Sequence, residues 1–528
     1  MATEKSIDES VKQSLLKYHF RNLFTKKPIE NLDDDSELRR QTFNHKQDLS
    51  VWNLIIICIG AIIGNGIFVL TGQAAATRSG PAVIISVIFA GITAFLSAIS
   101  YSELSSMMPF SGSSYTYAHT TLGELIAWIV GWDLALEYLV GAAAVSVGWS
   151  GYFKTFFYDA FGIELQSTFT EVPFLFNSTS HTFEIVPGAY FNLPAFVIII
   201  FLTILLVFGI KVSARFAIFF VSVKLIAIFL FIIVAGMHIK VENFHPFIPP
   251  NEGSLSKFGG TGILAGTTTV FFAYVGFDLV STVAEESREP RKNLPLAIMG
   301  SFFAVFIIYV VVSIVLVGAV PYTILNSATP LSVAVNAIGI KWLGIIMDIG
   351  AVIGLISVIL VLLMGQPRIV YAMANDGLFP KIAAKLHPKY GTLYIPTIFG
   401  GVFAGIAAAL FPINVLSELM SGGTLLAFFV VNIGASILRF KGPKFPGKFK
   451  APGPFWIPLV GAGLNLLFMA TAAIESIARL FCWMAIGLGF YFFYKAWICI
   501  SKRSKSKEPT STSLNSNNEQ SVITINEI

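Results

Sequence analysis

The sequence predicts an all-α polytopic membrane protein of twelve transmembrane helices, ten of them in a five-plus-five inverted repeat whose helices 1 and 6 are broken. Three observations predict it. Of the 528 residues, 55% are hydrophobic and only 12% charged, whereas a soluble domain averages about 25% charged. The apolar residues fall into blocks of the length, about 20 residues, that a helix needs to cross about 30 Å of hydrocarbon. Two of those blocks, five spans apart, carry glycines at mid-span, in GAIIGNGIF at 60–68 and FFAYVGFD at 271–278. The composition excludes a soluble enzyme, a disordered chain and a disulfide scaffold.

The elements follow in order. Residues 1–50 are polar and mixed in charge, an N-terminal tail without the apolar core of a cleavable signal peptide. Apolar blocks at 51–71, 82–108, 124–149, 193–210 and 216–236 form a first repeat over 51–236. Blocks at 261–282, 294–318, 331–364, 395–411 and 417–437, with the loop before them, form a second over 237–437. The block at 331–364 is long enough to tilt or to continue into a loop helix. An odd number of spans in each repeat requires the second to be inverted. The segment 438–498 holds a basic Pro/Gly-rich loop at 441–454 and two appended spans, 455–474 and 478–498. The remaining 499–528 is Ser/Asn-rich and expected to be a disordered tail.

Orientation follows from Lys and Arg, which accumulate on the cytoplasmic side. With the N-terminus inside, 27 of the 35 fall in inside segments and 6 in outside loops. Both termini are therefore expected in the cytoplasm, of a plasma membrane or an endomembrane. Asn177-Ser178-Thr179 is a glycosylation sequon in the long loop at 150–192, which this topology places outside. Cys58, Cys482 and Cys499 all lie in or at the ends of apolar blocks, so no structural disulfide is expected. The net charge of +5 leaves no nucleic-acid footprint.

No HExxH pair, phosphate-binding glycine loop or paired His/Cys cluster occurs, and seven histidines are scattered over tails and loops. No enzyme activity, metal or cofactor is expected; transport, channel and receptor functions remain. Glycines 60, 64 and 66 each weaken a helix by about 1 kcal/mol relative to Ala. A break in lipid is tolerated only where protein or a polar cavity satisfies the backbone, although small residues also serve close helix packing. A pair of interrupted helices in corresponding halves points to a transporter binding site.

A broken helix offers free N–H groups where its second half begins and free C=O groups where its first half ends. An α-amino acid zwitterion carries an anion and a cation at that spacing. The N–H groups of Gly64, Asn65 and Gly66 are expected to hold the carboxylate. The carbonyls of Ile62, Phe272, Ala273 and Val275 are expected to hold the ammonium. Lys224 sits about 12 Å from the nearer end of its span, too deep to snorkel. An intramembrane ionisable residue is a functional candidate, and Lys224 is assigned a proton-coupling role, with Glu137 as its carboxylate partner and Asp133 one turn earlier. Asp348 and Glu103 lie in or near spans without an assigned role, and Trp128, Trp132 and Trp149 read as interface or core residues.

These residues carry a resemblance. GAIIGNGIFVLTG, SYSELSSMMPFSGSSYTYAHTTLGELIAWIVGWDLALEY, FFAYVGFDLVSTVAEESREPRKNLPLAI, GAVIGLISVILVLLMGQPRIVYAMANDGLFP and LSELMSGGTLLAF together resemble the cationic amino acid transporter family of the amino acid–polyamine–organocation superfamily, densely over 42–440. The resemblance implies the same inverted-repeat fold and carries the binding motif onto Ile62, Gly64, Asn65, Gly66, Phe272, Ala273 and Val275. It likens Lys224 and Glu137 to the lysine and glutamate of proton-coupled bacterial members. Twelve spans instead of fourteen, and no outside-loop cysteine, imply a bacterial-type core that needs no disulfide-linked subunit.

The expected function is secondary active transport of an L-amino acid, cationic or small neutral, coupled to protons. The side-chain pocket is expected around Glu137, Gly354, Ile356, Ser357 and the start of the tenth span. An exchanger or a nutrient-sensing receptor is the alternative. A channel would require a repeated pore loop, which the sequence lacks.

Overall fold

A computed structural model describes residues 25–27, 49–110, 112–177, 182–209, 214–253, 256–442, 447–472 and 474–506. The expected tail segments 1–24, 28–48 and 507–528, and 443–446 of the basic loop, lie outside the described residues.

The first span begins at α1, Val51–Ile62, where the Ser50 hydroxyl accepts from the Asn53 amide and caps the first turn. It stops at Ile63, whose backbone is extended (φ −73°, ψ 95°), and resumes over 66–79 in alternating π- and α-helical turns. Gly80 at φ +61° turns the chain toward α2, Val83–Met107. Helix α3, Ser113–Thr121, precedes α4, Glu124–Phe161. Helices α5, Leu193–Val207, and α6, Ala214–Gly236, complete the first half.

The second half opens on α7, Gly259–Phe271. A 3₁₀ turn at Phe272–Tyr274, extended Val275 (φ −70°, ψ 139°) and Gly276 at φ +124° interrupt it before a 3₁₀ segment, Asp278–Glu286. Gly276 occupies a region that L side chains rarely enter, so the break needs glycine there. Then come α8, Pro290–Ala319; α9, Pro330–Ala337; α10, Lys341–Asn375; α11, Tyr394–Leu410; α12, Ile413–Lys441; α13, Trp456–Ala470; and α14, Ile474–Ser506.

Among the described residues, eight helical stretches are long and apolar enough to cross a membrane, and α5, α11 and α13 are shorter apolar helices. The stretch Val51–Met107 takes in two of the expected blocks. Helix α4 packs along α10 and α12, α2 along α7 and α8, and α1 against α6 and α8. The interrupted helices lie at the centre: 89% of the Gly259–Thr282 window is buried, against 28% for α14 at the periphery.

Four expectations change. The block at 331–364 is two elements, α9 and α10, separated by Gly339 at φ +87°, and α10 runs on to Asn375. Helix α4 continues past 149 to Phe161, because the aromatic run Phe153, Phe157 and Phe161 stacks along it and its first left-handed stop is Gly162. Helix α14 continues through 499–506, which had been read as tail; no proline interrupts the sequence before Pro509. The loop between α4 and α5 holds an antiparallel hairpin, β1 Phe174–Asn177 with β2 Thr182–Ile185. Asn177 ends β1, and the sequon's Ser178 and Thr179 lie outside the described residues.

Candidate functional site

The two breaks meet. A Cβ placed on Gly66 would overlap the main chain of Ala273, and one on Gly276 would stand 3.1 Å from the Ala61 carbonyl. Glycine at these two positions is therefore what lets the interrupted backbones touch. Gly64 is different: its nearest neighbour is Val358, at an ordinary 3.4 Å from the same placed Cβ. Ile62, Gly64, Asn65, Gly66, Phe272, Ala273 and Val275 are all buried around this crossing.

The hydrogen-bond pattern divides them. The last bond of α1 runs from Ile63 N–H to Ile59 O, and the next described bonds run from Ile67 and Phe68 N–H to Gly64 O. Between these, the amides of Gly64, Asn65 and Gly66 have no main-chain acceptor among the described residues. The carbonyls of Ala273 and Val275 likewise accept no main-chain bond there. Ile62 O accepts from the Tyr309 hydroxyl at 2.9 Å and Phe272 O from Val275 N–H at 3.2 Å, so these two keep one lone pair each. The Asn65 side chain, which sequence reasoning passed over, donates to Ala144 O at 2.6 Å and ties the break to α4. Gly148 makes room for it.

Lys224 is completely buried on α6. Its ammonium donates to Gly60 O at 2.6 Å and Ile63 O at 2.8 Å, with Ser357 Oγ at 3.4 Å. These carbonyls belong to the C-terminal turn of α1, the negative end of a helix, where a cation is favoured. Gly354 and Ser357 serve this lysine. A Cβ on Gly354 would stand 2.7 Å from Lys224 Cβ, and the Ser357 hydroxyl also donates to Gly354 O at 2.7 Å. Ile356 lies half-buried against the apolar core.

Glu137 is not the partner of Lys224: among the described residues Lys224 makes no ion pair, and its ammonium points to carbonyls on α1. The charged neighbours of Glu137 are Asp278 and Asp133. Among the described residues neither carboxylate oxygen of Glu137 accepts a close hydrogen bond, with the Thr424 side chain its neighbouring donor, and one oxygen each of Asp133 and Asp278 is also unpartnered there. The Tyr138 hydroxyl donates to Asp278 Oδ2 at 3.1 Å. Asp278 is the carboxylate that sequence reasoning missed. The available signal was its place as the first ionisable residue after the second glycine break.

The other candidates fall outside this crossing. Asp348 accepts from the Ser332 hydroxyl at 2.5 Å and fastens α9 to α10. Glu103 is gripped by Arg439, which also donates to the Gly453 and Pro454 carbonyls. Trp128 and Trp132 donate to carbonyls of α14 and stack on its aromatic residues, as interface and core residues do. No group of His, Cys, Asp and Glu suited to a metal ion occurs among the described residues.

Residues 49–494 match the family described as amino acid permease. The chain is 40% identical over 474 residues to a branched-chain amino acid permease of Bacillus subtilis (strain 168), covering 90% of this chain and 97% of that protein. It is 39% identical over 473 residues to a methylthioribose transporter of the same organism, covering 90% and 98%. It is 37% identical over 395 residues to a vacuolar cationic amino acid transporter of Arabidopsis thaliana, covering 75% of this chain and 64% of that protein. All three relatives are named as permeases or transporters.

Proposed function

The chain belongs to the amino acid permease family, and we propose that it is a secondary active transporter that moves an L-amino acid by alternating access, coupled to protons. Family membership carries multi-pass membrane embedding and amino acid transport. The observation that carries the finer reading is the pairing of free backbone groups at the crossed breaks with a buried ammonium beside them. Among the described residues the amides of Gly64, Asn65 and Gly66 have no main-chain acceptor, and the carbonyls of Ala273 and Val275 have no main-chain donor. A zwitterion supplies both. Its carboxylate takes the amides at the positive end of the second half-helix, and its ammonium takes the carbonyls.

Lys224 supplies the coupling. When charged, it satisfies Gly60 O and Ile63 O and holds the end of α1 to α6. Loss of its proton removes a charge from the negative end of that half-helix and weakens the tie, so the break changes shape with protonation. A buried ammonium on the carbonyls where a metal cation would otherwise bind favours H⁺ over Na⁺. Glu137 and Asp278 form a separate acidic group, the place where a substrate side chain or a second proton would act.

The same reading takes the apolar helices as twelve spans in a five-plus-five inverted repeat with two appended. It puts both termini in the cytoplasm and Asn177 on the outer, glycosylatable face, and it requires no metal, cofactor or disulfide-linked subunit. The side chain carried is cationic or neutral: relatives are named for branched-chain and cationic amino acids.

The test is uptake of labelled arginine, alanine and leucine into proteoliposomes under an inward proton gradient without Na⁺. Accumulation that collapses with a protonophore supports the reading. Folded protein that accumulates none of them overturns it.

A further inference from the structure

The basic segment after α12 is pinned where α2 and α12 end. Arg439 Nε donates to Glu103 Oε2 at 2.8 Å, and its Nη1 donates to the Gly453 and Pro454 carbonyls at 3.3 and 3.1 Å. The Phe449 amide donates to Ser106 Oγ at 2.8 Å, and the Ser436 hydroxyl donates to the Phe455 carbonyl at 3.0 Å. Gly447 fits closely against Ser106, where a Cβ would stand 2.7 Å from the hydroxyl. Residues 447–455 therefore form a platform held by side chains of both helices.

The platform presents cations. Phe449 is half-buried, while Lys448 and Lys450 on either side of it are exposed, as is Lys441 at the end of α12. A fourth lysine arrives from the far end of the chain. The backbone is tied down on both sides of Lys26: the Thr25 carbonyl accepts from the Glu124 amide at 3.1 Å, and the Lys27 amide donates to the His119 carbonyl at 3.3 Å. Partial burial and the like charge of Lys441 hold the Lys26 ammonium below its ordinary pKa. Two cations placed this way repel each other unless an anion joins them.

The neighbouring carboxylates are engaged elsewhere. Glu103 is held by Arg439. Glu124 is held by Lys495 at 2.7 Å and by the Tyr491 hydroxyl at 2.6 Å, and Asp376 by Lys27 at 2.6 Å. Among the described residues Lys26, Lys441, Lys448 and Lys450 make no ion pair. Exposed rings stand beside them. Phe440 is 75% exposed, Phe455 and Trp456 are also exposed, and the Phe440 and Phe455 rings meet edge to face at 5.9 Å. A tryptophan at the end of an apolar helix marks the level where hydrocarbon gives way to headgroups.

We propose that Lys26, Lys441, Lys448 and Lys450 form a docking surface for an anionic phospholipid, whose headgroup phosphate lies among the four ammonium groups. Charge complementarity requires an anion. The exposed Phe440, Phe455 and Trp456 favour one that carries a hydrocarbon chain, which free phosphate lacks. Attraction of this kind between lysines and anionic headgroups acts at short range and weakens with salt. A lipid held here joins the platform after α12 to residues 25–27, and through their backbone bonds to the end of α3 and the start of α4.

The experiment is native mass spectrometry of the detergent-solubilised full chain, titrated with phosphatidylglycerol and, as the neutral probe, phosphatidylcholine. Phosphatidylglycerol is expected to bind in preference. Lys441→Gln, Lys448→Gln and Lys450→Gln together should weaken its binding by about tenfold or more, since one lysine near such a surface contributes a factor of about five. Lys385→Gln with Lys389→Gln removes two exposed lysines from the loop between α10 and α11, where Tyr390 packs on Phe208 beyond α5, and should leave that binding unchanged. Equal loss in the two variants would show general charge attraction, and displacement of the lipid by inorganic phosphate would show a site for a free anion. Either result overturns the proposal, as does equal binding of the two lipids. No arm needs transport, so failed uptake would count against the transporter reading and leave this surface standing.

Discussion

Lys224 and Gly60 are 164 residues apart in the chain and 2.6 Å apart in space, where the buried ammonium closes the end of an interrupted helix. Ile63 O is the second acceptor, at 2.8 Å. The contact joins α6 to the first break and gives the site a proton-bearing group that touches backbone, not a carboxylate.

Lys224→Met should remove the dependence of uptake on the proton gradient. It should also cost stability, because each buried carbonyl left without a donor costs about 1–3 kcal/mol. Uptake across a pH series and thermal unfolding in detergent check the two parts. Gradient-driven uptake as strong as the parent's would remove Lys224 from the coupling role.

Gly66 and Gly64 should respond differently to one added methyl group. Gly66→Ala drives a Cβ into the Ala273 main chain. It should cost about 1–3 kcal/mol of overpacking and abolish substrate binding by parting the two breaks. Gly64→Ala meets Val358 at contact distance and should fold normally. Scintillation proximity binding beside melting curves separates them; equal behaviour of the two variants would contradict the crossing geometry.

Gly354→Ala should mimic a weakened lysine. The new Cβ would press on the Lys224 stem at 2.7 Å from its Cβ and move the ammonium off its carbonyls. The expected signature is a changed pH dependence of uptake with all charges still present. A pH profile superimposable on the parent's would refute the link between Gly354 and coupling.

Glu137→Gln tests the separation of the acidic group from the lysine. Removing one partner of a buried ion pair costs about 3–5 kcal/mol. Glu137 has no such partner here, so the variant should lose less than about 1 kcal/mol while altering the pH profile of uptake. A loss of the larger size would show that Glu137 and Lys224 pair after all.

Asp376 gives a pH signature outside the membrane spans. Its carboxyl is held below its ordinary value, so the stability it contributes is fully present above about pH 3.9 and is lost as pH falls below that toward the lowered value. The parent's melting temperature should fall over that acid range, and Asp376→Asn should lack that part of the fall. Parallel curves for the two proteins would contradict the assignment.

Much of the site was legible because it is written in backbone chemistry. Glycine is the residue that disrupts a helix at mid-span, and Gly64, Gly66 and Gly276 marked both breaks directly in the sequence. A lysine eight residues inside an apolar span was equally visible as Lys224. The partners were not. Glu137 stood out as a carboxylate in the middle of a span, yet it faces Asp278 and Asp133, and the acceptors of Lys224 are carbonyls, which every residue possesses and no sequence pattern marks. Asn65 was counted for its amide alone, while its side chain reaches Ala144 on another helix.

The sequence by itself determined that this chain belongs in a membrane and where two of its helices must break. Those properties depend on composition and on local backbone preference, which neighbouring residues set within a few turns. Only the tertiary structure decided that Gly66 touches Ala273, that Lys224 sits on Gly60 and Ile63, that Gly354 and Ser357 attend the lysine, and that Lys27 reaches Asp376. Each of those pairs residues from separate helices, and their meeting depends on how the helices pack and rotate against one another, which no local pattern encodes.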